Sequence, residues 1–192
     1  MAKILAFAGS TRTESFNKKL IKIAVDGARA AGAEVTLVDL RDFPMPLYDG
    51  DLEAASGLPE HARRLKKLFL EHDGLMISTP EYNSSVPGVL KNAIDWVSRS
   101  EPGESPLAAY AGKVGILMSA SPSWMGGVRS LNVVRMMLSN IKVLMLPDSV
   151  SVAKANEAFN PDGSLKDAKQ AAAAQKLGKT LAETLAKLKG TA

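Results

Sequence analysis

Short apolar runs at residues 4–8, 35–40, 75–78, 114–119 and 143–146 alternate with longer stretches in which apolar residues recur every three or four positions. Runs of that length with few polar interruptions predict strands covered on both faces, whereas the recurring positions predict amphipathic helices. Leu20, Ile23, Ala24 and Ala28 form one such stripe, and Val89, Leu90, Ala93, Ile94 and Val97 another. Helices are expected to begin near Ser15, Pro59, Pro87, Gly127 and Asp167. Regular strand–helix alternation implies an α/β fold, a parallel sheet with helices on both faces. Right-handed crossovers leave few topologies, of which the strand order 2-1-3-4-5 suits this length best. An alanine run at 171–174 lies inside the last helix, and with no internal repeat or linker, residues 1–192 are expected to form one domain.

Composition narrows the function. A chain of 192 residues, 46% hydrophobic and 23% charged, buries roughly 70% of its unfolded surface on folding. Residues 3–8 are too short for a signal-peptide core and lead into a polar loop. No run approaches the roughly 18 apolar residues of a membrane helix, so no membrane insertion and a cytoplasmic location are expected. Cysteine is absent, which excludes disulfides, thiolate metal sites and thiol redox chemistry, leaving redox work to a bound cofactor. The net charge of +4 and pI near 9.3 come from scattered Lys and Arg largely matched by acids, a solvated-face pattern and no nucleic-acid footprint. His61 and His72 have no partner at metal-ligand spacing.

Three loops following strands carry the candidate chemistry. The first, Gly9-Ser10-Thr11-Arg12-Thr13-Glu14-Ser15-Phe16-Asn17, opens a helix. Unpaired N–H groups and the helix dipole favour an anion there, and Arg12 adds a potentially bidentate contact, so a phosphate dianion fits. The bland alternative is Ser15 as an ordinary cap with Arg12 in solvent. Only Gly9 stands where a Gly-x-Gly-x-x-Gly dinucleotide turn needs three glycines. The second loop, residues 78–88, places Glu81, Tyr82, Asn83 and Ser84 between a buried strand and an amphipathic helix, with Pro80 and Pro87 restraining its ends. A planar cofactor would dock at such a sheet edge. The third, residues 119–127, contains Ser119, Ser121, Gly126 and Gly127, with Trp124 and Met125 suited either to covering an aromatic ligand or to a subunit contact.

Two irregular segments, 41–57 and 98–112, are long for a compact domain. Phe43, Met45, Leu47 and Tyr48 make the former too apolar for an idle loop, and packing against a second subunit is expected. Asp49, Asp51 and Glu53 are expected to form a solvated face, and Trp96 to pack on the core or a partner.

Thr79-Pro80-Glu81-Tyr82-Asn83, followed by Val86-Pro87-Gly88-Val89-Leu90-Lys91-Asn92-Ala93-Ile94-Asp95-Trp96, resembles the NADPH-dependent FMN reductase family, which includes quinone, azo and chromate reductases. The likeness runs from Lys3 to about Lys189. It implies a flavodoxin-like three-layer sandwich, FMN as cofactor, NADPH or NADH as donor, and a small-molecule electron acceptor. It also implies a homodimer or homotetramer with the flavin near the subunit boundary. By the same resemblance, Ser10, Arg12, Ser15, Phe16 and Asn17 would contact the ribityl phosphate, and Pro80, Glu81, Tyr82, Asn83 and Ser84 the ring. Ser119, Ser121, Gly126 and Gly127 would form the third contacting loop. The family often has Gly or Arg where Ser84 stands. Two alternatives stay open: a non-enzymatic flavodoxin-like electron carrier, against which the basic chain and Arg12 weigh, and a regulatory or interaction module that keeps only the fold.

Overall fold

The computed structural model describes residues 1–190. Strands β1 (Lys3–Ala8), β2 (Glu34–Asp39), β3 (Gly74–Ser78), β4 (Val114–Ala120) and β5 (Leu144–Val152) form one sheet in the order β2-β1-β3-β4-β5, with every pairing parallel. The expected order is therefore the observed one. Alternate residues of β1 serve opposite faces, as the pleat requires. Ile4 and Ala6 join a core with α1 (Phe16–Ala30) and the long α7 (Ala168–Leu188), while Leu5 and Phe7 join another with α3 (Glu60–Glu71), α4 (Gly88–Val97) and α5 (Val128–Asn140). Among the described residues, no helix is long and apolar enough to cross a membrane.

Three elements go beyond the sequence pattern. Strand β5 continues past residue 146 to Val152, because the register against β4 shifts between Gly115 and Leu117, opposite Met145 and Ser149. Pro147 sits in that irregularity on an edge strand, where a missing N–H is tolerated. A short helix, α2 (Gly50–Ser56), forms inside the 41–57 segment; the Asp49 carboxylate accepts from Asp51 N at 2.8 Å and Leu52 N at 3.5 Å. A one-turn helix, α6 (Ala155–Ala158), follows β5.

The 41–57 segment lies against its own chain. Phe43 is buried in the core that includes Leu65 and Phe69, and Met45 packs against Leu58, Ala62 and Trp96. Trp96 is fully buried, donates from Nε1 to Pro46 O at 2.8 Å and meets the Tyr48 ring edge-on at 5.0 Å. Asn92 of α4 fastens the same stretch, accepting from Tyr48 N and donating to Pro46 O, each at 2.8 Å. Glu53, expected in a solvated face, accepts from Arg99 Nε at 2.9 Å and from the Tyr48 hydroxyl at 2.9 Å. Leu47 alone of the four apolar residues stays widely open, at 78% exposure.

Helices α1 and α7 approach until backbone meets backbone. A Cβ on Gly178 would overlap the carbonyl oxygen of Ala24, and one on Gly27 that of Gln175. Gly178→Ala is expected to destabilise the fold by about 2 kcal/mol, an overpacking cost of about 3 offset by about 1 of helix propensity. Urea unfolding tests this, and an unchanged midpoint would mean that the two helices part freely.

Candidate active site

Strands β1, β3 and β4 are neighbours, so the loops after them leave one sheet edge together, and the chain reverses its direction of winding between β1 and β3. A crevice outside the carboxyl ends is expected at such a switch point. Asn17, buried in the first turn of α1, ties that turn to the ends of β3 and β4: its Oδ1 accepts from Ser78 Oγ and from Ala120 N, and its Nδ2 donates to Ala120 O, each at 2.9 Å. That side chain is committed to the protein. What Asn17 can offer a ligand is its main-chain N–H.

The start of α1 leaves hydrogen-bond donors available. Helical hydrogen bonding begins with Lys18 N and Lys19 N, both onto Ser15 O, so the amides of Phe16 and Asn17 lie ahead of the first bond. Ser15 occupies the N-cap position, yet its hydroxyl makes no capping bond, contrary to the bland expectation for it. Ser10 is buried and its Oγ accepts from Arg12 N at 3.3 Å. The exposed Arg12 side chain has no ion pair among the described residues. Phe16 stacks on Phe159, with centroids 5.9 Å apart and planes 12° apart. Sequence reasoning missed Phe159, which follows α6 with no pattern to single it out. Nearby, burial pushes the Asp39 carboxyl up, but the Lys18 ammonium at 2.5 Å, the Arg41 N–H and both positive charges outweigh it and hold Asp39 below the usual carboxylate range.

The second loop closes on itself between Tyr82 and Ser85, which exchange N–H to O bonds of 3.0 Å in both directions. Its central residues, Asn83 at φ 51° and Ser84 at φ 65°, are both left-handed, as in a type I′ turn. Tyr82 is left 48% exposed. The Glu81 carboxylate, by contrast, turns away to grip α5, accepting from Arg129 N at 3.1 Å and from Arg129 Nε at 2.7 Å. What Glu81 can offer a ligand is its main chain. The pairing also caps the amino terminus of α5 with a negative charge.

In the third loop, Ser119 is buried and its hydroxyl donates to Thr79 O at 2.6 Å, fastening β4 to the second loop. Gly127, at φ 88°, lies over that hydroxyl so closely that a Cβ would overlap it. Gly126 meets Ser151 Oγ in the same way. The two glycines thus serve close approach within the protein. Trp124 projects from the loop with 78% exposure.

A cavity of about 70 Å³ draws these parts together. Ser10, Arg12, Ser15, Phe16 and Asn17 line it from the first loop, Pro80, Glu81 and Tyr82 from the second, and Ser121 from the third. Ala120 and Pro122 complete it, two residues without a chemical signal in the sequence. Asn83 and Ser84 stand exposed at the turn, while Ser119, Gly126 and Gly127 are outside the lining. A larger cleft of about 620 Å³ adjoins it through Ser15 and contains Lys18, Lys19, Lys22 and Arg41. Among the described residues, no three acidic or His side chains gather at a possible metal site. Free helix amides, an uncapped hydroxyl and an unpaired guanidinium beside a rigid turn are a donor set suited to a monophosphate carried on a planar group.

Ser84 lacks the glycine that the second left-handed position of this turn favours. Ser84→Gly is expected to raise the unfolding free energy by about 0.5–1 kcal/mol, since the left-handed cost exceeds the extra chain entropy of glycine. Denaturant unfolding without added ligand checks this; a loss of stability would assign the Ser84 side chain a contact of its own.

Comparison with known proteins agrees with this architecture. Residues 2–157 match the family model of NADPH-dependent FMN reductase. The chain is 36% identical over 168 residues to an NAD(P)H-dependent FMN reductase of Pseudomonas aeruginosa, covering 87% of this chain and 86% of that one. It is 34% identical over 166 residues to a quinone reductase of Pseudomonas putida, covering 85% and 84%. Among solved structures, FerB of Paracoccus denitrificans, a flavoenzyme NAD(P)H:(acceptor) oxidoreductase, superposes with a TM-score of 0.78 at 29% identity over 97% of this chain and 98% of that one. With the family model spanning most of the sequence and relatives of this identity along its length, the chain belongs to the NADPH-dependent FMN reductase family.

Proposed function

We propose that the protein oxidises NAD(P)H through bound FMN and reduces a small oxidant: a quinone, an azo compound, free flavin or a metal oxyanion. One observation carries the proposal: the anion-ready start of α1 and the rigid Tyr82–Ser85 turn line or flank a single cavity at the sheet's switch point. When bound, FMN supplies the redox chemistry, accepting hydride and releasing electrons. The chain supplies placement. Ser10, Arg12, Ser15 and the amides of Phe16 and Asn17 hold the phosphate, and the Pro80–Ser84 backbone borders the ring. Because Glu81 is occupied by Arg129, its negative charge is neutralised instead of facing the ring. The exposed Tyr82 and Trp124 leave room for planar donors and acceptors to use the site in turn, and they present aromatic faces to them.

Anaerobic mixing of FMN-reconstituted protein with NADPH is expected to bleach the visible flavin absorbance within seconds, and an added quinone to restore it. Bound flavin that neither NADPH nor NADH bleaches would favour an electron carrier; failure to bind flavin would favour an interaction module.

We also propose assembly into a homodimer or homotetramer through the surface beside α4. Leu47 is the supporting feature, an open apolar side chain on a segment that Asn92 and Trp96 hold firmly in place. Sedimentation at micromolar concentration is expected to give at least twice the chain mass, and Leu47→Glu to lower it. A wild-type monomer would remove the proposal.

A further inference from the structure

Arg41 lies in a 3₁₀ turn, Leu40–Asp42, directly after β2. Strands β1 and β2 run in register, Ala8 opposite Asp39, so Arg41 arrives beside the loop that leaves β1. Its guanidinium makes three contacts with that loop: Nη2 and Nε donate to Thr11 O at 2.5 and 3.1 Å, and Nη2 donates to Thr13 Oγ1 at 2.8 Å. Arg12 stands between the two residues it grips. The Arg41 backbone is itself held, its N–H donating to Asp39 Oδ1 at 3.0 Å, while Asp39 Oδ2 accepts from Lys18 of α1 at 2.5 Å.

The planarity of the peptide bond gives this grip a directional effect. In a trans peptide the carbonyl and the following N–H point in opposite directions. Drawing Thr11 O outward to Arg41 therefore turns Arg12 N inward, where it meets the buried Ser10 hydroxyl at the cavity wall. We infer that Arg41 is a positioning residue for the phosphate end of the cofactor, setting the Thr11–Arg12 peptide so that Ser10 and Arg12 face the phosphate; the inference rests on the FMN reading above. Lysine cannot reproduce this function: it keeps the charge but has a single point donor in place of the planar fork.

Dissociation constants of the full chain for FMN and riboflavin, read from quenching of flavin fluorescence, test the inference without recourse to turnover. Arg12→Ala calibrates the phosphate site and is expected to weaken FMN far more than riboflavin. Arg41→Lys is expected to weaken FMN by about tenfold while leaving riboflavin within about twofold, with no change in net charge. Thr13→Val, which removes one contact and retains Arg41, is expected to give a smaller loss of the same FMN-selective kind. Unchanged FMN affinity in Arg41→Lys would overturn the inference, as would equal weakening of both flavins, which would mark Arg41 as a general brace of the loop. If Arg12→Ala fails to discriminate the flavins, the phosphate assignment itself falls, and the role of Arg41 with it.

Discussion

Three hydrogen bonds from one buried amide hold the site in place. Asn17 bonds to Ser78 and Ala120, at the ends of β3 and β4, and it does so from the first turn of α1. A buried amide left unpaired would cost more than each bond contributes, so the arrangement is close to all-or-none. Because it is satisfied, the amino terminus of α1 cannot drift from the two loops that follow those strands. Ser119, bonded to Thr79 O, repeats the device between β4 and the second loop. The polar residues of the site thus divide into those that hold the loops together and those that remain for a ligand. Asn17, Ser119 and the Glu81 carboxylate belong to the former group; Ser15, Arg12 and the first amides of α1 belong to the latter.

That division explains what could be read from sequence. Strand order and layers were legible because apolar period and alternation report burial directly: β1, β3 and β4 are covered on both faces and read as unbroken runs. The three loops were legible because polar residues between a buried strand and an amphipathic helix have few other uses. The direction of each side chain was not. Nothing in a one-dimensional pattern distinguishes an Asn aimed at a ligand from one aimed at Ala120, or a glycine needed by a cofactor from one needed by Ser119 Oγ. The extension of β5 was hidden for a different reason, since Pro147-Asp148-Ser149 reads as a turn and becomes strand only through an irregular pairing with β4. Arg41 was hidden because its target is thirty positions earlier in the chain.

The same geometry couples parts of the surface that look independent. Glu81 joins the second loop to α5 through Arg129, and α4, which leaves that loop, carries Asn92 and Trp96, the residues that fasten the 41–57 segment. The exposed Leu47 is therefore connected to the Tyr82–Ser85 turn through helix α4 and its hydrogen bonds. An interface on that face would bear on the second loop without touching it.

Helix α1 opens at the candidate site, and its buried stripe is closed by α7, with Phe159 stacked on Phe16. More than 130 residues separate the end of α1 from the start of α7. During synthesis on the ribosome, residues 16–30 emerge long before residues 168–188, and until the latter appear, the apolar side of α1 facing α7 has no cover. It follows that α1 gains its full support only after residues 168–188 have been made, so a ligand at its amino terminus meets a finished scaffold only once α7 has docked.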